Sequence, residues 1–376
     1  MKFAKFFSWE RYQQYLKITA ALVLVVVLSI SLFGGSAFAA NRKSQLAQGN
    51  AITDAQSLLR YALPIENEQI RKLQASLEDI SYHIRTKRWG KVKKDAKEAG
   101  FVAKYRQSKI LASVPEERQA QAQEILEQML PEISQLQDAA AKRNEELISQ
   151  NRSELLAKVT QIEELMVVGF PFEVPEKYDY LPQLKGRATV EMATEKGNLI
   201  IVADGYSAPV NAGNFVDLVQ RGFYDGLKFG RGEDSYFLQT GDPPGAAVGF
   251  NDPNTGEYRS IPLEVLVKGE DEPVYEVTLE EYGIYLPDLA LPFSAYGTLA
   301  LARPSGDANG GSSQIFFFLL QNDLTPPGFN LLDGRYSVFG YVVEGKEVLK
   351  SLKAGDKIIS AQVIAGAENF LAPVTQ

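Results

Sequence analysis

Cysteine is absent from this sequence, and histidine occurs once, at His83. Disulfides and thiolate metal sites are thereby excluded, as are zinc sites built on several histidines and catalytic triads that need a histidine base. Charged residues make up 23% and apolar residues 45%, an ordinary globular balance that points neither to disorder nor to a polytopic membrane protein. Any chemistry must run on arginine, carboxylates, amides, hydroxyls or the backbone. No metal and no cofactor are expected. A length of 376 residues allows about two domains, each with its own core.

The first forty residues stand apart. Lys2, Lys5, Arg11 and Lys17 form a basic n-region, and Ile18 to Phe33 is a continuous run of apolar or small residues. "GGSAFAA" follows, with Ala37 and Ala39 in an A-x-A cleavage pattern. Residues 1–39 read as a secretory signal peptide, with an uncleaved membrane anchor as the alternative, since the run approaches the lower limit for spanning a bilayer. The segment has no adjacent Arg-Arg pair, which favours the general secretory route over the twin-arginine one.

Residues 40–168 read as a helical bundle. Thr53 and Gln56 have capping-box spacing ahead of "SLLRYAL", and Pro64 closes that segment. Ile70, Leu73, Leu77, Ile80 and Ile84 form one apolar stripe at helical period, and Ile125, Met129, Ile133, Leu136 and Ala140 form another. Pro131 should kink or restart the second helix, because it lacks an N–H and crowds the preceding turn. Arg85 to Lys109 holds ten Lys/Arg against Asp95 and Glu98. This patch is a solvated helix face, or it meets an anionic lipid surface or an acidic partner. Residues 170–376 carry 28 acidic and 15 basic residues, so intramolecular docking of the patch on that acidic half is a further expectation. A pI near 5.1 in an exported chain argues against nucleic acid.

"VGFPFEVPEKYDYLPQLKG" interrupts both periodicities with Pro171, Pro175 and Pro182, and residues 169–186 read as a semi-extended linker or covering strap. From residue 187 onward, "ATVEMAT", "GNLIIVAD", "GTLALAR", "SQIFFFLL" and "YSVFGYVV" are β-rich runs bounded by Gly, Asn, Asp and Pro. Two helices stand out, Asn211 to Arg221 and Val343 to Ala354, each stopped by a glycine. The fold class is multidomain α plus β: a helical bundle, then a closed antiparallel β-barrel capped by two helices.

Five stretches in order, "APVNAGNFVDLVQRGFYDGLKF", "FLQTGDP", "GTLALAR", "SSQIFFFLL" and "LLDGRYSVFGYVV", make residues 187–376 resemble a cyclophilin domain. With an export signal and a helical bundle ahead of it, the chain looks like the large thylakoid-lumen cyclophilins of cyanobacteria and plants. The resemblance implies peptidyl-prolyl cis–trans isomerisation, a folding or chaperone role in the thylakoid lumen (the periplasm is the alternative), and support of photosystem II assembly. Proline-containing client chains, among them photosystem II subunits, would be the partners. It also explains a lone arginine among aromatics in "LKFGRGEDSYFLQTGDP". Rotation about a prolyl bond meets a barrier of about 18–20 kcal/mol because the C–N bond is partly double. A guanidinium aimed at the prolyl nitrogen draws its lone pair out of resonance, and a thousandfold acceleration needs only about 4 kcal/mol.

By this resemblance Arg231 is the catalytic arginine, Phe229 the aromatic two positions before it and Gln239 the orienting glutamine. Tyr236, Phe237, Phe316 and Leu332 would receive the proline ring. Gln314 is the second glutamine, and Ala302 with Arg303 the strand edge that binds an extended peptide. Several positions depart from the pattern. Gly230 stands where most relatives have histidine, Phe237 replaces a methionine, Leu331 the tryptophan associated with cyclosporin binding, and Tyr336 a later histidine. Residues 250–296 form an insertion whose core stretch carries eight acids: Glu264, Glu270, Asp271, Glu272, Glu276, Glu280, Glu281 and Asp288. Such a flap would select basic segments, clamp the basic patch or cover the groove. The competing expectation is a catalytically weak or inactive scaffold, whose groove docks a partner loop and is gated by the bundle.

Overall fold

The computed structural model describes residues 52–231, 236–253, 256–319 and 330–373, all within one compact unit. The expected signal peptide, residues 1–39, lies outside the described residues. No described helix is long and apolar enough to cross a membrane.

Helix α1 (Ala55–Ala62) starts on Asp54, whose carboxylate accepts from the backbone N–H of Ser57 at 2.9 Å. The Thr53/Gln56 box is displaced because Asp54 offers its oxygen directly to that donor. Asn67 caps α2 (Glu68–Arg85) through the N–H groups of Gln69 and Ile70. Then come α3 (Trp89–Tyr105), α4 (Gln107–Leu111), α5 (Glu116–Lys142) and α6 (Glu145–Met166). The apolar stripes bury one shared core, with Ile70, Leu73, Val92, Met129, Leu136, Leu155 and Val159 inaccessible to solvent. Pro131 neither ends nor restarts α5. Pro131 and Glu127, the residue whose carbonyl loses its donor, are both exposed, so that carbonyl faces water rather than the core.

Residues 169–186 run along the β half. Val174, Tyr178, Leu181 and Leu184 are buried in its core, and β1 (Gln183–Leu184) pairs with β12 (Phe370–Leu371). Helix α7 (Pro209–Gln220) lies beneath this strap. A Cβ on Gly213 would stand 2.5 Å from the Gln183 Cα, so only glycine permits the crossing.

The main sheet comprises β2 (Arg187–Thr194), β3 (Gly197–Asp204), β4 (Gly230–Arg231), β5 (Phe237–Thr240), β8 (Thr298–Leu301), β9 (Ile315–Phe318), β10 (Val338–Glu344) and β11 (Ile358–Ala365). Its order is β11-β2-β3-β10-β8-β9-β5-β4, with β11 and β4 as ends. The expected closed barrel is therefore an open, curled half-barrel. Gly222 and Gly226 take positive φ and keep the approach to β4 in turns. The seam is held by one bridge, Lys228 to Lys357, and by backbone bonds such as Phe229 N–H to Asp356 O at 2.8 Å.

Strand alternation divides two apolar faces. Leu199, Ile201, Leu238, Leu299, Phe317 and Phe339 point inward and pack with Phe215 and Leu218 of α7. Ala300, Phe316, Phe318, Val338 and Tyr341 point outward and pack with Ala55, Leu58 and Leu59 of α1. Thus the first helix of the bundle covers part of the outer face of the sheet. The second expected capping helix is shorter than its sequence pattern: α8 spans Lys346–Ser351, because β10 runs on through Glu344 and Gly345 turns at φ 84°.

The insertion has its own small core of Leu263, Val265, Leu279 and Leu289 around the β6 (Glu264–Val265) and β7 (Val274–Tyr275) pair. Glu264 is fully buried and accepts from the backbone N–H groups of Val210 (3.1 Å) and Asn211 (3.0 Å), at the N-terminus of α7. Burial raises its pKa, while these donors and the helix terminus work in the opposite direction. One of the eight acids is thus a helix cap rather than a surface charge. Glu276 pairs with Lys177 at 2.8 Å and accepts from Tyr178 Oη, which ties the insertion to the strap.

Candidate active site

Short strands place the site residues. Gln239 of β5 is registered against Phe316 of β9, and Phe316 against Ala300 of β8. Alternation turns Phe237, Gln239 and Phe316 to the outer face. Chain following β8 adds Ala302 and Arg303, chain leading into β10 adds Leu332 and Tyr336, and together these line a groove of about 470 Å³.

Its floor is an aromatic stack. Phe316, 5% exposed, lies parallel to Phe293 at 5.9 Å and meets the edges of Phe237 at 5.1 Å and Tyr336 at 5.4 Å. Phe293 is held by its backbone: its N–H donates to Asp333, and its carbonyl accepts from Asn330 Nδ2. Burial pushes the Asp333 carboxyl up to about 6, against the lowering effect of the Phe293 and Asn330 N–H donors.

The polar wall is a relay of amides. Gln239 Nε2 donates to Gln314 Oε1 at 2.5 Å, and Gln314 Nε2 donates to Asp242 Oδ1 (3.2 Å) and to the Val248 carbonyl (2.8 Å). Arg303 is anchored at the rim: Nη2 donates to the Arg335 carbonyl at 2.8 Å, and its guanidinium lies 5.2 Å from the Tyr336 ring centre. Ala302 N–H donates to the Gln314 carbonyl, so that amide is already used within the sheet.

Of the residues singled out from sequence, Phe237, Gln239, Ala302, Arg303, Gln314, Phe316, Leu332 and Tyr336 line this groove. Phe229 does not: it is buried in the inward core, 6.3 Å from the Phe317 ring. Leu331 is 68% exposed and Tyr236 is 43% exposed, and neither lines the cavity. Arg231 ends β4 opposite Leu238, next to the Gly230–Gln239 pair. Sequence reasoning missed Val248 just ahead of the insertion, Tyr258 within it, and Pro304, Gly310 and Ser312 from the loop after β8. Tyr258 Oη donates to the Gly310 carbonyl at 3.0 Å, and a Cβ on Gly249 would stand 2.6 Å from its ring, so these segments wall the groove by close packing. The signal was the glycine density of "GFNDPNTGEYRS" and "PSGDANGGSSQ". Among the described residues no cluster of three or more acidic or histidine side chains could hold a metal ion.

A curled antiparallel sheet with an aromatic-floored groove and a glutamine relay on its outer face is the arrangement of a cyclophilin-type prolyl isomerase. Comparison with known proteins agrees. The family described as cyclophilin-type peptidyl-prolyl cis-trans isomerase matches residues 189–368, and the CYP38-like, PsbQ-like domain family matches residues 54–167. A Synechocystis protein named as a thylakoid lumen peptidyl-prolyl cis-trans isomerase is 59% identical over 326 residues, 87% of this chain and 86% of its own. Arabidopsis thaliana CYP38, a chloroplastic isomerase, is 43% identical over 88% of this chain and 78% of its own. Among solved structures, a Cryptosporidium parvum cyclophilin, determined in the presence of the dipeptide Ala-Pro, aligns with 47% of this chain and 99% of its own, at 21% identity and a TM-score of 0.34. The chain belongs to the cyclophilin-type peptidyl-prolyl cis-trans isomerases, in the group that carries a CYP38-like, PsbQ-like helical domain ahead of the isomerase domain.

Proposed function

We propose that the groove seats a proline ring on Phe316, between Phe237, Leu332 and Tyr336, while Arg231 donates to the prolyl nitrogen. The guanidinium stays protonated at any relevant pH and presents a rigid fork of donors. Engaging the nitrogen lone pair removes the C–N double-bond character and lowers the rotational barrier. Gln239, held by Gln314, orients the carbonyl that rotates. No nucleophile or base takes part, in keeping with a chain that has no cysteine and one histidine. The observation that carries this reading is the convergence of Phe237, Gln239, Gln314, Phe316, Leu332 and Tyr336 on one cavity.

The names of the relatives support a thylakoid-lumen location, and the client chains would be membrane-complex subunits such as those of photosystem II as they are assembled. One observation favours a second reading, docking of a partner loop with little turnover: Gln239 Nε2 is occupied by Gln314 instead of standing open to a substrate carbonyl. Gating by the bundle finds no support in the cavity, since no residue of α1 to α6 lines it.

The test is isomerisation of a short Ala-Pro peptide by the chain and by its Arg231→Ala variant. Losing one positioned donor should lower kcat/KM by about 100-fold or more. Equal rates for both proteins would remove Arg231 from the mechanism. An uncatalysed rate with the parent chain, together with tight peptide binding, would establish the docking reading instead.

A further inference from the structure

The solvent side of α3 departs from the pattern its core side obeys. Val92, Ala96, Ala99, Val102 and Ala103 are buried, and at 3.6 residues per turn the direction opposite them passes through Phe101. Phe101 stands 43% exposed there, one turn before Tyr105 at 62%. The two rings are 5.4 Å apart, with Arg106 5.3 Å from the first and Lys104 5.4 Å from the second. Lys93, Lys94 and Lys97 are exposed on the same side. The acids of the segment are turned away: Asp95 bonds His83 at 2.7 Å, and Glu98 pairs with Lys72 at 2.6 Å, both against α2. Among the described residues no ion pair neutralises Lys93, Lys94, Lys97 or Lys104.

We propose that this face of α3 binds the surface of an anionic lipid bilayer, with Phe101 and Tyr105 seated among the headgroups and the lysines on lipid phosphates. Exposed aromatic rings flanked by lysines suit a membrane surface, where amphipathic rings sit at the headgroup level and lysines reach the anionic lipid charge. At 17 residues α3 offers a straight contact of about 25 Å. The choice of cation separates lipid from protein. Protein–protein interface cores are enriched in arginine and depleted in lysine, whereas lysines act as point charges at an anionic bilayer. The chain carries a net charge of −8, so an anionic bilayer repels most of its surface and attraction is confined to this face. Binding therefore orients the molecule with α3 toward the bilayer, independently of the isomerase groove.

The experiment is vesicle co-sedimentation of residues 49–376, which omits the apolar run at 18–33 and retains the compact unit containing all described residues. Vesicles are of phosphatidylcholine alone or with about one-third phosphatidylglycerol, a mixture in which each surface lysine contributes about fivefold. Partition should appear on the anionic vesicles only and decline with salt. Lys94→Gln with Lys97→Gln should weaken it by about 30-fold, and Phe101→Ser by about fivefold or more, with far-UV dichroism unchanged. Equal partition on both vesicle types, none on either, or partition untouched by these exposed substitutions overturns the proposal. No partition combined with protection of Lys94 and Lys97 from acetylation in the vesicle-free protein would assign the face to the acidic half of the chain.

Discussion

Glu163 is a carboxylate buried at the junction of α6 with α1 and α2. Oε1 accepts from Arg71 at 3.1 Å, while Oε2 has no hydrogen-bond partner. Burial outweighs the nearby arginines and raises its pKa from 4.5 to about 7. The folded protein thus holds an extra proton between those values. The stability contributed by this group is greatest below pH 4.5, falls as the pH rises to about 7, and levels off above that, where the buried charge is fully formed. Replacing it with Gln should raise Tm at pH 8, by a few degrees or roughly 2 kcal/mol, and leave Tm near pH 5 unchanged. An equal gain at both pH values would show that packing, not charge, is responsible. In the groove, Gln314 acts through Gln239. Gln314→Leu leaves Gln239 Nε2 without its acceptor and should lower kcat by about tenfold, with a smaller change in KM. A rise in KM alone would mean that Gln314 only binds peptide.

At the scale of elements, α7 shows how much was legible and why the rest was not. Its apolar face and its glycine stop can be read at helical period, and the helix runs from Pro209 to Gln220, within two residues of the expected start. Its cap comes from Glu264, 53 positions after Asn211, and no local pattern announces such a pairing. The acidic cluster therefore read as a flap for basic segments, for the basic patch or over the groove, although one member is a buried partner of two backbone amides. Glu264→Ala should cost about 2–3 kcal/mol through the unsatisfied N–H groups of Val210 and Asn211, and Glu264→Gln less, as measured by urea unfolding. If the alanine variant is as stable as the parent, the insertion is not fastened at this point. Local periods likewise revealed the bundle helices, whereas Phe237, Gln239 and Phe316 were singled out only through the family resemblance, and it is the strand register that turns them outward. The place of Phe229 in the motif implied a role at the site, but it precedes β4 and its ring is buried in the inward core beside Phe317. Closure of the sheet was over-read because short β runs do not disclose that β4 has only two residues.

For the whole molecule, the decisive contact is one that sequence boundaries conceal. By sequence, α1 belongs to the bundle, and Arg60 joins it there to Glu78 at 3.0 Å. Yet Ala55, Leu58 and Leu59 share a core with Phe293, Phe316 and Phe318, beside the groove floor. Arg187 donates to the Leu59 carbonyl, Ser294 Oγ to the Ile52 carbonyl at 2.8 Å, and Lys268 lies 5.6 Å from the Tyr61 ring. Helix α1 is therefore a shared element, and the two halves are expected to unfold together. Residues 49–376 contain one tryptophan, Trp89, packed on the bundle core, so its fluorescence reports the bundle alone. Hydrogen exchange of Phe316–Phe318 amides reports the sheet. In urea the two signals should share one midpoint. Leu59→Ala, which removes a side chain 5% exposed between the halves, should lower the sheet's midpoint by the equivalent of about 2–4 kcal/mol. It should also separate that midpoint from the Trp89 transition, because the bundle keeps the rest of its own core. Two midpoints in the parent chain would show that α1 bridges two independently stable domains, and that the floor of the groove owes nothing to the bundle.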